Sequence, residues 1–296
     1  MKVAAIPRLS ASEFKPSRWR RYPCVVEGLT EDWQAIERWT PEYLKRVAGD
    51  QEVSVRETAG SPRNIYQNLA QGGRIRFSDY VDWITETSAA ADLQEVIARF
   101  ADPGQITAAI ETCDFEASYY LDAKLAQLSK PLVDDVTVPD WYPTHPIDVI
   151  FWLGILGTSS GLHADVTPNC NVQVSGSKHF LLFSPSEARN LYQIAGRTHC
   201  RFDPNLPDYD RFPKASHSSS METYLKPGEA LYIPVGWFHQ VTVVSTYSIN
   251  VNFFWQRQFP QGLATPALWR VLLWRICART RQKRKKHLPV ATPVPE

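Results

Sequence analysis

The sequence predicts a mainly β fold with surrounding helices, built on a double-sheet barrel of the jelly-roll kind, a double-stranded β-helix. Three observations carry this expectation. Hydrophobic residues make up 44% of the 296 positions and aromatics 12%, with ten tryptophans, a β-leaning globular composition. From about 147 to 257, short runs rich in Val, Ile, Phe, Tyr and Trp follow one another, separated by Gly and Pro turns. Before that, strand-like and helix-like segments alternate, which places helices around the barrel.

In chain order, Tyr22-Pro-Cys-Val-Val-Glu-Gly28 reads as a strand closed by a turn glycine. Thr40-Pro41-Glu-Tyr-Leu is a helix start, with Thr40 as N-cap and Pro41 at the first helical position. Glu52-Val-Ser-Val-Arg56 alternates as a half-buried strand, and Ser78-Asp-Tyr-Val-Asp-Trp-Ile reads as a second capped helix. The Ala-rich stretch 87–118 reads as helix and loop, and 130–146 as a connection punctuated by Pro and Asp. Barrel strands are expected at 147–156, 169–174, 178–183, 222–225, 230–233, 239–244 and 247–255. The polar stretch 188–220 reads as an insertion loop over the barrel mouth, with His199 and His217 as solvated loop residues.

These segments divide into one domain, 1–265, with an N-terminal α/β portion (1–146) and a barrel core (147–257). A basic amphipathic helix (266–286) and a disordered tail (287–296) should follow. The formal net charge is +1, but 270–286 holds eight basic residues and no acidic one, leaving the remainder acidic. That segment reads as a helix docked on the barrel with a solvated basic end, or more sharply as a contact for nucleic acid or an anionic membrane. The five cysteines are scattered, with no C-x-x-C pair, which suits a reducing compartment and a cytoplasmic location. The N-terminal apolar run is too short for a signal peptide, and no stretch is long enough to span a bilayer.

The chemistry-bearing residues are His163-Ala-Asp165 and the distant His239. On an extended strand, residues two apart leave the same face. Two imidazoles and one carboxylate from two strands of one barrel would hold a metal with positions left open, as in non-haem Fe(II) oxygenases. Pro234 and Gly236 mark a strand end just before His239, and Lys178 follows on the next predicted strand. A buried lysine needs a partner, which a carboxylate cofactor would supply; as a hairpin residue after Gly176 it would instead be exposed.

Gly161-Leu-His163-Ala-Asp165-Val-Thr-Pro-Asn169, Gln173-Val-Ser-Gly176-Ser-Lys178-His-Phe-Leu-Leu-Phe-Ser-Pro185, Gly228-Glu-Ala-Leu-Tyr-Ile-Pro-Val-Gly-Trp237-Phe-His239 and Ile249-Asn-Val-Asn252-Phe-Phe-Trp255 together resemble one family. It is the JmjC, cupin-like group of Fe(II)- and 2-oxoglutarate-dependent oxygenases, nearest the branch of the asparaginyl hydroxylase factor inhibiting HIF. The resemblance covers most of 15–257. It implies Fe(II) on His163, Asp165 and His239, and 2-oxoglutarate with its distal carboxylate on Lys178. It also implies that Ser160 and Tyr120, or Tyr119 one residue earlier, bond that carboxylate, and that Asn169 and Asn252 lie near the chelating end. With O2, the implied activity is hydroxylation of a protein or peptide side chain. The same chemistry on a small metabolite or tailoring intermediate, and a non-redox cupin that only binds a ligand, remain open alternatives. The resemblance further suggests a homodimer through C-terminal helices.

Overall fold

The computed structural model describes residues 1–15, 21–59, 72–88, 117–142 and 144–256, and within them strands form two sheets. The smaller has the order β1 (Lys2–Ala5), β11 (Ser219–Leu225), β10 (Lys178–Phe183), β13 (Phe238–Val243), β8 (Ser159–Ala164). The larger runs β2 (Arg8–Ser10), β3 (Cys24–Glu27), β12 (Ala230–Ile233), β9 (Asn169–Ser175), β14 (Tyr247–Phe254), β7 (Asp148–Ile155), β6 (Ala117–Lys124), β4 (Glu52–Ala59), β5 (Gly72–Arg76). From β7 to β14 the chain passes back and forth between the sheets, which is the winding of a double-stranded β-helix.

Five helices flank this barrel among the described residues: α1 (Ala35–Arg38), α2 (Pro41–Ala48), α3 (Phe77–Ser88), α4 (Leu125–Leu128) and α5 (Lys130–Asp134). Thr40 caps α2 by accepting from the Tyr43 N–H at 3.2 Å, as its sequence predicts. Buried Asp135 ties α1 and α2 together by accepting from Arg38, Trp39 and Tyr43. Trp39, Leu44, Phe77, Tyr80 and Leu125 of this layer share one apolar core with Phe151, Val172 and Val251 of the larger sheet.

The two faces of that sheet differ in chemistry, and strand parity is the reason. Cys170, Val172 and Val174 of β9 and Ile249, Val251 and Phe253 of β14 all join the helix-side core. Their alternates, Asn169, Asn171 and Gln173 with Ser248, Asn250 and Asn252, are equally buried but polar. Further along the barrel the two sheets meet through apolar contacts, with Phe180 and Leu182 of β10 against Val25, Leu231 and Ile233.

Most expected strands form, although β11 starts at Ser219 rather than 222. Three expectations need correction. Residues 130–146 are not only a connection: Ser129 caps α5, accepting from the Leu132 N–H. Residues 117–118 open strand β6, whereas 89–116 of the same Ala-rich stretch lie outside the described residues. The 188–220 stretch is folded, with 3-10 turns at Pro185–Arg189 and Pro213–His217. Its Leu191, Phe202, Phe212 and Ala215 pack on Leu162, Leu181, Phe183 and Phe238 of the smaller sheet. Residues 257–296, with the expected basic helix and tail, lie outside the described residues. No helix among the described residues is long and apolar enough to cross a membrane, and Cys24 and Cys170 are free and buried.

One glycine sets the approach of β6 to β7. A Cβ on Gly154 would stand 2.8 Å from two ring carbons of Tyr120, its partner in the β6–β7 ladder. Gly154→Ala should therefore displace the Tyr120 ring and cost about 1–3 kcal/mol, measurable as a lower denaturant midpoint with unchanged slope.

Candidate metal centre and co-substrate pocket

His163 on β8 and His239 on β13 are directly opposite one another in an antiparallel pair. Asp165 lies just past the end of β8, and its carbonyl accepts the N–H of Gly236, which has φ +79° in the turn before β13. The turn predicted from Pro234 and Gly236 thus anchors the carboxylate residue as well as aiming His239. One ligand atom from each of His163, Asp165 and His239 lies within 4.8 Å of the others, the arrangement a single cation needs.

Backbone carbonyls choose the tautomers. His163 Nδ1 lies 2.7 Å from the Gly161 carbonyl, and His239 Nδ1 lies 3.1 Å from that of Trp237. In each ring Nδ1–H donates, which leaves Nε2 as the nitrogen whose lone pair can bind a metal. His239 Nε2 is 3.7 Å from Asp165 Oδ2. Burial first, and then neighbouring His239, holds the His163 imidazole well below its ordinary pKa, so it stays neutral. Asn169 donates its Nδ2 to Asp165 Oδ2, which orients the carboxylate.

A bulge places a second residue of β8 in the cavity. Between His239 and Val241 the partners on β8 are His163 and Ser160, so β8 carries one extra residue. Without it, residues three apart would leave opposite faces; with it, Ser160 and His163 both line the cavity. The Ser160 hydroxyl accepts the Val241 N–H at 3.1 Å and keeps its own proton to donate.

The cavity is lined by Tyr120, Trp152, Asn171, Asn250, Asn252 and the three candidate ligands, among others. Lys178 is buried behind it, 2% exposed. Its Nζ donates to Asn250 Oδ1 and lies 3.5 Å from the Tyr120 hydroxyl. Burial lowers its pKa to about 7. Asn252 accepts from Asn250 at 2.6 Å.

All eight sequence-predicted residues therefore gather at this end of the barrel. Six line the cavity, Lys178 lies behind it, and Asn169 acts one step back, on Asp165. Of the two tyrosines, the described contact to Lys178 is that of Tyr120. Sequence reasoning passed over Asn171, Asn250 and Trp152, although strand parity signals two of them: Asn171 is two from Asn169, and Asn250 two from Asn252. It also misplaced His199. That ring is half-buried and stacks on His163 with centroids 5.6 Å apart and planes 21° apart. The reason is backbone pairing: Ala164 N–H donates to Thr198 O and Cys200 N–H to Leu162 O, which adds residues 198–200 to the edge of β8. His217 is exposed, as expected.

The donor set suits a hard or borderline divalent cation, with two neutral nitrogens and one carboxylate oxygen. The buried ammonium fits an anionic co-substrate, because among the described residues no carboxylate forms an ion pair with it.

The chain resembles known proteins over most of its length. It is 27% identical over 263 residues to lysine-specific demethylase 8 of Xenopus tropicalis, covering 85% of this chain and 53% of that protein. This chain thus spans about half of that relative. It is 27% identical to the human bifunctional peptidase and (3S)-lysyl hydroxylase JMJD7 (80% of this chain, 78% of that one). It is 25% identical to tRNA wybutosine-synthesizing protein 5 of Gallus gallus (80% and 71%). The profile of the cupin-like domain matches residues 10–261, nearly the whole described barrel with its helices, and the chain belongs to that cupin-like, JmjC family.

Proposed function

We propose that the chain is an Fe(II)- and 2-oxoglutarate-dependent dioxygenase that hydroxylates a protein or peptide side chain. The observation that carries this reading is the combination of a His-Asp-His set with a buried lysine at one end of one barrel. When bound, iron with 2-oxoglutarate supplies oxidative decarboxylation of the keto acid by O2, yielding succinate and CO2 and oxidising a substrate C–H bond.

The residues have separate tasks. His163, Asp165 and His239 would hold the iron, and one carboxylate against a divalent cation leaves positive charge for an anionic keto acid. Lys178 would pair with the distal carboxylate by a charge-assisted bond, with Ser160 and Tyr120 donating their hydroxyl protons to it. Asn252 would serve the chelating end directly, and Asn169 through Asp165. From the folded 188–217 segment, His199 stacks on the His163 ring and would help to hold that ring's orientation.

The relatives' names support an oxidising enzyme and leave the substrate open, since they include a demethylase, a lysyl hydroxylase and a wybutosine-synthesizing protein. The last of these favours a second reading, the same chemistry on a substrate that is not a protein. Burial of Lys178 disfavours a ligand-binding barrel without this cofactor, in which the ammonium would be an unrelieved cost. A cytoplasmic location belongs to the proposal and accords with the free, buried Cys24 and Cys170.

Two measurements test this reading. His163→Ala should abolish 2-oxoglutarate-dependent succinate formation in a screen of peptide and metabolite pools; undiminished succinate would sink the assignment. The second is a pH dependence. With its pKa lowered to about 7, Lys178 is increasingly neutral above that pH, and the dianion needs the ammonium form. Affinity for 2-oxoglutarate should therefore fall as pH rises from 7 to 9, by roughly one to two orders of magnitude. Proton uptake on binding should appear as a buffer-dependent calorimetric enthalpy.

A further inference from the structure

Asn250 belongs neither to the candidate metal set nor to the residues that the family resemblance singles out, yet its side chain makes three hydrogen bonds in the pocket. Its Oδ1 accepts from Lys178 Nζ. Its Nδ2 donates to Asn171 Oδ1 at 2.7 Å and to Asn252 Oδ1 at 2.6 Å. The orientation of this amide is fixed by its partners. Turned over, it would set its oxygen against two oxygens and its NH2 against an ammonium. Held by two bonds on one side, the carbonyl presents a stationary acceptor to the lysine on the other.

That arrangement crosses the barrel. Lys178 belongs to β10 of the smaller sheet and Asn250 to β14 of the larger. Packing alone does not ask for an amide here, since an apolar residue of the same size would bury at lower cost. A neutral acceptor does something that an aspartate could not: it holds the ammonium in place and leaves its charge uncancelled. A lysine otherwise keeps rotamer freedom along a four-carbon stem and would have to lose it on binding.

We propose that Asn250 is a positioning residue for Lys178, locking the ammonium where it reads the second carboxylate of the co-substrate and so setting the preference for a dicarboxylate. Asn171, which takes one of the two Nδ2 bonds, braces it. This inference rests on the reading of the pocket as a 2-oxoglutarate site.

The experiment is calorimetric titration of the Mn(II)-loaded full chain with 2-oxoglutarate and with 2-oxopentanoate, which has the same length without the distal carboxylate. The ratio of the two dissociation constants measures what the lysine reads. In Asn250→Leu that ratio should fall by about tenfold or more, because a lysine that must be ordered at the moment of binding contributes less. The dissociation constant for 2-oxopentanoate and the Mn(II) affinity should stay near those of the unmodified chain. If Asn250 merely packs, both keto acids weaken together and the ratio stays put, which overturns the proposal. Should the leucine variant fail to fold, Asn250→Ser, whose hydroxyl falls short of the ammonium, carries the same expectation and the same refutation. An unmodified chain that binds no 2-oxoglutarate overturns the co-substrate reading itself, and this inference with it.

Discussion

A lysine removed from water either gives up its proton or is surrounded by oxygen atoms that can accept from it, and much of this barrel's interior answers that demand. Lys178 shares its strand face with Phe180 and Leu182, whose neighbours are apolar. Its own surroundings come from elsewhere: Asn250 from the opposite sheet and the Tyr120 hydroxyl from β6. Tyr120 reaches that position because β7 carries glycine at 154. Asn250 is aimed by Asn171 and Asn252. One buried charge thus accounts for residues on four strands, and for the polar inner stripe of a sheet whose outer face is among the most apolar surfaces in the molecule.

The candidate metal set depends on a different constraint, the pairing of two strands. His163 and His239 face each other because β8 and β13 are antiparallel neighbours in that register. The i−2 carbonyl fixes each ring, so the same local device works on both strands. Two features at the rim complete the arrangement: the extra residue in β8, which turns Ser160 inward, and the tie from Gly236 to Asp165. The two constraints meet in the cavity, where an end of two imidazoles and one carboxylate faces one that carries the lysine.

How much of this the sequence shows depends on how local the cause is. The H-x-D spacing, the Pro-x-Gly turn before His239 and the Thr40 cap are local, and each forms as read. The barrel strands are legible because Gly and Pro punctuate alternating apolar runs. Tyr120 could be singled out only through the family resemblance, since nothing in Tyr119-Tyr120 tells which ring meets a lysine on another sheet. Asn250 and Asn171 went unnoticed because an asparagine in a strand normally signals a turn or an edge, and only the pairing of β14 with β9 shows them buried and bonded together. His199 was misread for the same reason. A histidine in a polar, proline-rich stretch looks solvated until the backbone of that stretch is seen to pair with β8.

That pairing makes the stretch from Thr198 to Cys200 and the strand carrying His163 a single ribbon, with one imidazole lying on the other. That segment is therefore bonded directly to the strand that holds a candidate ligand. A displacement of that segment would reach the His163 ring through two backbone hydrogen bonds and one ring stack.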